Sequence, residues 1–134
     1  MGDSRAGWRT VFEPGTWVIA DSSPTDDRLR VVAGWGGGGK YHHTEVVETS
    51  TRVRIEVLIQ HSLASDPTVR QVRTLELRFA VIEVRLARSL GGRLLDGGSE
   101  DSPVGRSLLN LRARLGGHAP MDIVDSTRAA DDPS

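Results

Sequence analysis

The chain has no cysteine and a single lysine, Lys40, and each shortage excludes some chemistry. Without cysteine there can be no disulfide framework, no thiolate nucleophile and no cysteine-based zinc site. The other 16 of the 17 basic residues are arginine. This bias indicates a GC-rich genome or, alternatively, a surface on which arginines bind carboxylate or phosphate groups.

Aromatic residues are also scarce, at 4%, and charge of either sign is not in excess, with a net charge of −1. Such a balance gives no electrostatic reason to expect nucleic acid or anionic lipid as the main partner. No apolar run is long enough to span a membrane, so membrane insertion is not predicted. No signal peptide is visible, which predicts a cytoplasmic protein, although an exported protein trimmed of its signal would look the same.

The clearest structural signal is Thr51–Gln60, in which apolar and polar residues alternate. Four β-branched apolar residues fall on every second position: Val53, Ile55, Val57 and Ile59. Successive side chains of a strand point to opposite faces, so one face packs on a core and the other meets water. We therefore predict the central strand of an antiparallel sheet.

Similar patterns predict further strands along the chain. They cover Trp17–Ala20, the alternating Leu29, Val31, Ala33 and Trp35, Thr44–Thr49, and a short strand after Leu90. Residues 69–80 fit either a strand or a helix, and the apolar phase shifts by one residue near Ala80, as at a β-bulge or a turn between strands. His61–Thr68 is predicted to be a loop.

These elements predict one domain for a chain of 134 residues. Residues 1–15 are predicted to be a flexible segment, 16–98 a β-sandwich domain, 99–117 a linker with a short helix, and 118–134 a disordered acidic tail. Leucines 108, 111 and 115 supply the helical spacing. The predicted fold class is all-β, a single antiparallel, immunoglobulin-like β-sandwich of about seven strands.

Two segments resemble a group of small, uncharacterised β domains common in actinobacteria. Glu48, Thr49, Val53, Ile55 and Val57 match one of its strands. A later segment of the group is matched by these residues: Leu86, Leu90, Gly91, Arg93, Leu95 and Asp96. Serine stands at position 89, where the group usually has proline, and the two cysteines of its exported members are missing here. The resemblance covers roughly residues 29–97 and implies a small β domain without an established activity.

Candidate binding residues lie around the glycine-rich loop and in the two matching segments. They are Trp35, Lys40, Tyr41, Glu48, Arg93 and Asp96. Gly36–Gly39 is not followed by the Ser/Thr and helix of a phosphate-binding loop, so it is predicted to be a flexible loop. Glu48 and Arg93 fit a buried ion pair or, alternatively, a site for a carboxylate or phosphate ligand.

Four residues form the candidate metal cluster of the sequence: His42, His43, His61 and Glu45. Adjacent histidines on a strand point to opposite faces, so only one of the pair could join His61 unless the chain curls. Exposed loop histidines are the alternative interpretation. No catalytic residue is predicted, because a G-x-S-x-G turn is lacking and the strand glutamates alternate with arginines that can pair with them.

The sequence thus favours a non-enzymatic protein-interaction or structural module that needs no cofactor. Its predicted partner is a protein, and a homo-oligomer is compatible with the pattern. A metal-binding protein or metal-dependent hydrolase that uses the histidines is one alternative. An assembly subunit of a cell-surface or virion structure is another.

Overall fold

A computed structural model describes residues 8–21, 25–36, 38–64, 77–98 and 101–128. The elements, in chain order, are β1 (Trp8–Pro14), β2 (Thr16–Asp21), β3 (Arg28–Trp35), β4 (Lys40–Glu48), β5 (Arg52–Ala64), β6 (Arg78–Arg85), β7 (Leu94–Asp96), α1 (Pro103–Leu115), β8 (Asp122–Asp125) and β9 (Thr127–Arg128). The described part of the chain is therefore mostly β, with two sheets and one helix, as the predicted all-β class requires.

The five-stranded sheet is built around β5, which confirms the prediction of a central strand. One edge of β5 pairs with β4, and the other edge of β4 pairs with β9. The other edge pairs with β1 along Leu58–Ala64 and with β7 along Arg52–Arg54. All four alternating apolar residues of β5 are at most 1% exposed. Their neighbours in the sequence face outward, since side chains alternate along a strand.

The four-stranded sheet has the order β2-β3-β6-β8. Its two inner strands, β3 and β6, are buried on both faces. In β6, Ala80, Ile82 and Val84 pack against the first sheet, whereas Val81 packs toward α1. The predicted bulge or turn near Ala80 is wrong, because β3 and β6 pair in one unbroken register from Arg28 to Trp35. The phase shift arises from burial of both faces of β6.

The predicted short helix is present as α1 and begins one turn earlier than the leucine spacing indicated. Ser102 caps it by accepting a hydrogen bond from the Gly105 amide (2.9 Å), and Pro103 occupies its first turn, where a missing N–H costs nothing. Leu108 is fully buried against Val18, Val32 and Val81. The helix thereby covers the outer face of the four-stranded sheet.

The main core lies between the two sheets. It contains Val46, Val53, Ile55, Val57 and Ile59 from the first sheet and alternate residues of β2, β3 and β6 from the second. Trp17 adds a polar contact across the core, because its indole Nε1 donates to the Ile55 carbonyl at 3.1 Å. This contact satisfies a donor that would otherwise be buried without a partner.

Strands occupy parts of both chain ends that the sequence assigned to flexible or disordered segments. β1 lies within the predicted flexible segment 1–15, and Gly15, between β1 and β2, is where the chain passes from one sheet to the other. β8 and β9 lie within the predicted disordered tail 118–134, and the chain changes sheet again at Ser126. The prediction is therefore wrong for Trp8–Pro14 and for Asp122–Arg128, since each gains backbone partners in a sheet.

Two further predictions are wrong: the loop assignments at the start of β4 and the end of β5, and the wholly antiparallel pairing of the strands. Lys40–His43 belong to β4 and His61–Ala64 to β5, so neither stretch is a loop; residues 65–76 lie outside the described ranges. A tight corner at Thr49 joins β4 to β5, and the Thr49 amide donates to the Arg52 carbonyl (2.9 Å). The β6–β8, β4–β9 and β5–β7 pairings are parallel, so the sandwich is not wholly antiparallel.

The described strands number nine, against about seven predicted. α1, with 13 residues, is the one described helix, and within the described ranges no helix is long and apolar enough to cross a membrane.

Candidate functional sites

Glu48 and Arg93 form a buried ion pair at the corner where β4 ends. Arg93 Nη1 lies 2.9 Å from Glu48 Oε1, and the side chains of Arg93 and Glu48 are 6% and 3% exposed. The second carboxylate oxygen, Oε2, accepts hydrogen bonds from the Ala87 amide (2.6 Å) and the Ser126 hydroxyl. These four residues are called the Glu48 cluster below.

Arg93 uses all five of its N–H groups within the protein. Besides Glu48, its acceptors are backbone carbonyls: Nε donates to Leu90 (3.2 Å), Nη1 to Thr49 (3.1 Å), and Nη2 to Arg88 (3.1 Å) and Ser89 (2.8 Å). A guanidinium has five donors and no acceptor, so this arginine has none left for a ligand. The geometry favours the structural interpretation of Glu48 and Arg93 over an anion-binding site.

The electrostatics of Glu48 agree with this interpretation. Burial alone would raise the pKa of its carboxyl group, but the Ala87 amide, the Ser126 hydroxyl and the Arg93 guanidinium lower it, in that order of importance. The net result is a pKa below the ordinary value of 4.5, because three donors stabilise the charged form. Glu48 is therefore an ionised, fully partnered carboxylate at neutral pH.

The other candidate binding residues do not join this cluster. Trp35 is buried and donates from Nε1 to the Gly39 carbonyl (2.9 Å), and Lys40 is exposed on β4. Asp96 lies 3.4 Å from Arg52 in an exposed ion pair. Glu48 pairs with Arg93, Trp35 lies beside Tyr41 with ring centroids 6.5 Å apart, and Asp96 pairs with Arg52. The six predicted residues therefore do not form one site.

Tyr41 is half-buried and spans the gap between the two sheets. Its hydroxyl donates to Asp122 Oδ2 at 2.5 Å and lies 2.8 Å from the Thr44 hydroxyl. Burial, followed by the hydrogen bond to Asp122, raises the pKa of the Tyr41 phenol well above its ordinary value. The phenol stays protonated and joins β4 to β8, which is a structural task.

His42 and His43 lie together on the outer face of the five-stranded sheet. A register irregularity between Tyr41 and His43 breaks the usual alternation, so the two Nδ1 atoms lie 2.6 Å apart. His43 Nε2 is 3.0 Å from Glu45 Oε2. The ring of His42 also meets Phe12 edge-on, with centroids 4.7 Å apart. Phe12, His42 and His43 are called the aromatic patch below.

His61 does not belong to this patch. It pairs with Val11, whereas Phe12 pairs with Gln60, so His61 and Phe12 point to opposite faces of the sheet. His61 instead lines a groove of about 330 Å³ beside Glu13 and Trp35. Among the described residues, no three or more His, Asp or Glu side chains are grouped so that they could hold a metal ion.

The sequence did not single out Ser126 or Phe12. Ser126 lies in a polar segment, and the only local sign of a strand there is the adjacent Ile123-Val124 pair. Phe12 lies in the segment predicted to be flexible, where Val11 and Phe12 are adjacent apolar residues. Neither segment has a readable period, because β8 and β9 have only four and two residues and because the adjacent Val11 and Phe12 interrupt the alternation in β1.

Comparison with known proteins adds no relative. No family model matches the chain, and neither a curated protein nor a solved structure matches it. The resemblance of residues 29–97 to the actinobacterial β domains stays a prediction.

Proposed function

We propose that this protein is a non-catalytic interaction module that binds a protein partner through the outer face of its five-stranded sheet. The observation that carries the proposal is the aromatic patch, in which Phe12 is 49% exposed beside two histidines. Aromatic residues are enriched at the centres of protein interfaces, where they supply a large contact area at a small entropic cost.

The contrast between the two outer faces supports this assignment. α1 covers the outer face of the four-stranded sheet, where Leu108 is fully buried. No described element covers the corresponding face of the five-stranded sheet. There His43 contacts Glu45 at 3.0 Å, Glu45 pairs across the sheet with Glu56, and Glu56 lies 3.4 Å from Arg54. This charged row extends from the patch along the face and supplies the polar surroundings typical of an interface rim.

The pairing of the acidic side chains supports the non-catalytic part of the proposal. Glu48 is held by three donors, Glu56 faces Arg54, and Glu83 lies 3.2 Å from Arg85. Paired-carboxylate catalysis needs two acids that face one cleft and have separated pKa values. These carboxylates lie at different places in the two sheets and have cationic partners.

Within this proposal we describe the architecture as immunoglobulin-like. Support comes from two sheets that enclose one apolar core and from Trp17, which reaches across that core to the opposite sheet. The parallel pairings of the terminal strands distinguish the chain from a wholly antiparallel sandwich.

The glycine-rich loop is a less suitable binding element than the sheet face. A Cβ atom on Gly39 would lie 2.6 Å from His61 Cε1, and the Gly39 carbonyl accepts the Trp35 indole hydrogen bond. Deleting residues 36–43 would also remove the first four residues of β4. We therefore expect that deletion to disrupt the fold, so it cannot test partner binding.

Site-specific photo-crosslinking tests the proposal without disturbing the fold. A photoreactive amino acid replaces exposed Arg54 on the sheet face, and a matched control replaces exposed Ala113 on α1. In cells of the source organism, we expect a discrete crosslinked protein from position 54 and none from position 113. Adducts from position 113 alone, or from neither position, would contradict the proposal.

A further inference from the structure

The outer edge of β1 has a self-complementary sequence. β1 ends the five-stranded sheet, and among the described strands it pairs only with β5. Arg9 and Glu13 are exposed and lie two residues on either side of Val11. An exposed strand edge is a template for pairing with another strand, and opposite charges at facing positions favour one register.

We propose that a second copy of this chain pairs antiparallel with the β1 edge, in the register centred on Val11. The inference deepens the proposed function, on which it rests, by naming one partner. In this register Val11 faces Val11 of the second copy, and Arg9 faces Glu13 of the second copy. The two-fold symmetry makes the charge pair occur twice, as an isologous interface requires.

The same register accounts for the exposure of Phe12. On the outer face, Phe12 lies opposite Thr10 of the second copy and diagonal to Phe12 of the second copy. Diagonal neighbours across antiparallel strands are about 7–8 Å apart, which aromatic side chains can bridge. The two half-exposed rings would thus cover each other at the centre of a continuous sheet.

The proline of β1 is compatible with this pairing. Pro14, which lacks an N–H group, is the last residue of the strand, where the loss of one hydrogen bond is tolerated. Moving the register by one residue would put the charged residues on the opposite face from their partners. The charge pattern therefore specifies one register.

Charge reversal tests the inference, with molar mass measured by light scattering after size exclusion from dilute to concentrated samples. We expect wild type to reach twice the 14.5 kDa chain mass as concentration rises. Arg9→Glu places two glutamates opposite each other, and Glu13→Arg places two arginines opposite each other. Each change should weaken self-association by about tenfold or more.

Mixing the two single variants gives the decisive result. The glutamate introduced at position 9 of one chain would then face the arginine introduced at position 13 of the other. The native Glu13 of the first chain would face the native Arg9 of the second, so the mixture should form a heterodimer with near wild-type affinity. The double variant R9E/E13R should also dimerise. Arg88→Glu, an equal charge change at an exposed site, is the control and should leave dimerisation unchanged.

A wild-type monomer at every concentration would overturn the inference, as would a failure of the two variants to associate on mixing. Circular dichroism of each variant separates loss of pairing from loss of fold. A monomer that still gives the position-54 crosslink to another protein would leave the proposed function standing and remove only the second copy as partner.

Discussion

The Glu48 cluster and the aromatic patch both include residues of β4, yet the structure gives them opposite characters. In the cluster, a carboxylate and a guanidinium are almost fully buried, and each has several internal partners. In the patch, Phe12 is half exposed, and the histidine rings contact each other, Phe12 and Glu45 at the surface. A buried charge stays only where its hydrogen bonds are complete, whereas an exposed group keeps donors and surface for a partner.

Removing Glu48 should give the largest effect that separates the two regions. Glu48→Ala leaves the Arg93 guanidinium buried without its counter-charge, and it also leaves the Ala87 amide and the Ser126 hydroxyl without an acceptor. We expect a loss of about 3–5 kcal/mol in the free energy of unfolding, measured by urea denaturation. Glu45→Ala, on the exposed part of the same strand, is the matched control and should change it by less than about 0.5 kcal/mol. Equal losses for the two variants would contradict the distinction.

Acid should weaken the cluster selectively. The pKa of Glu48 is lower in the folded protein than its ordinary value of 4.5. Its ionisation therefore stabilises the fold fully above that value, and the contribution is lost as pH falls through the lower, folded pKa. The difference in unfolding free energy between wild type and Glu48→Gln should thus be constant near neutral pH and shrink as the pH falls below 4.5. A difference that grows as the pH falls would show that folding does not lower the pKa of Glu48.

Removing a histidine ring from the patch should give the smallest effect on stability. His42 is exposed, and its ring contacts are with Phe12 and His43 at the surface. We expect His42→Ala to change the free energy of unfolding by no more than about 0.5 kcal/mol, while it weakens the crosslink from position 54. A loss above about 2 kcal/mol in urea denaturation would place His42 among the structural residues, as with Glu48.

Sequence reasoning succeeded where one face of a strand is buried, as in β5. It failed for β6, where burial of both faces removes the alternation, and for Trp8–Pro14 and Asp122–Arg128, whose strands lie in short or polar segments. It did pair Glu48 with Arg93, but Ser126 could not be found, because it lies 78 residues from Glu48 in a segment without a clear period. Conversely, the irregularity in β4 brought His42 and His43 together, against the expected alternation.

The sequence by itself therefore determined the strand-rich class, the central place of β5 and the presence of α1. These depend on side-chain periods within a few residues, which reflect local backbone geometry. Only the tertiary structure decided that Arg93 has no donor left, that His61 and Phe12 face opposite ways, and that β1 ends a sheet. Each of these depends on which distant segments pair and in what register, because strand pairing joins residues whose separation along the chain leaves no local pattern.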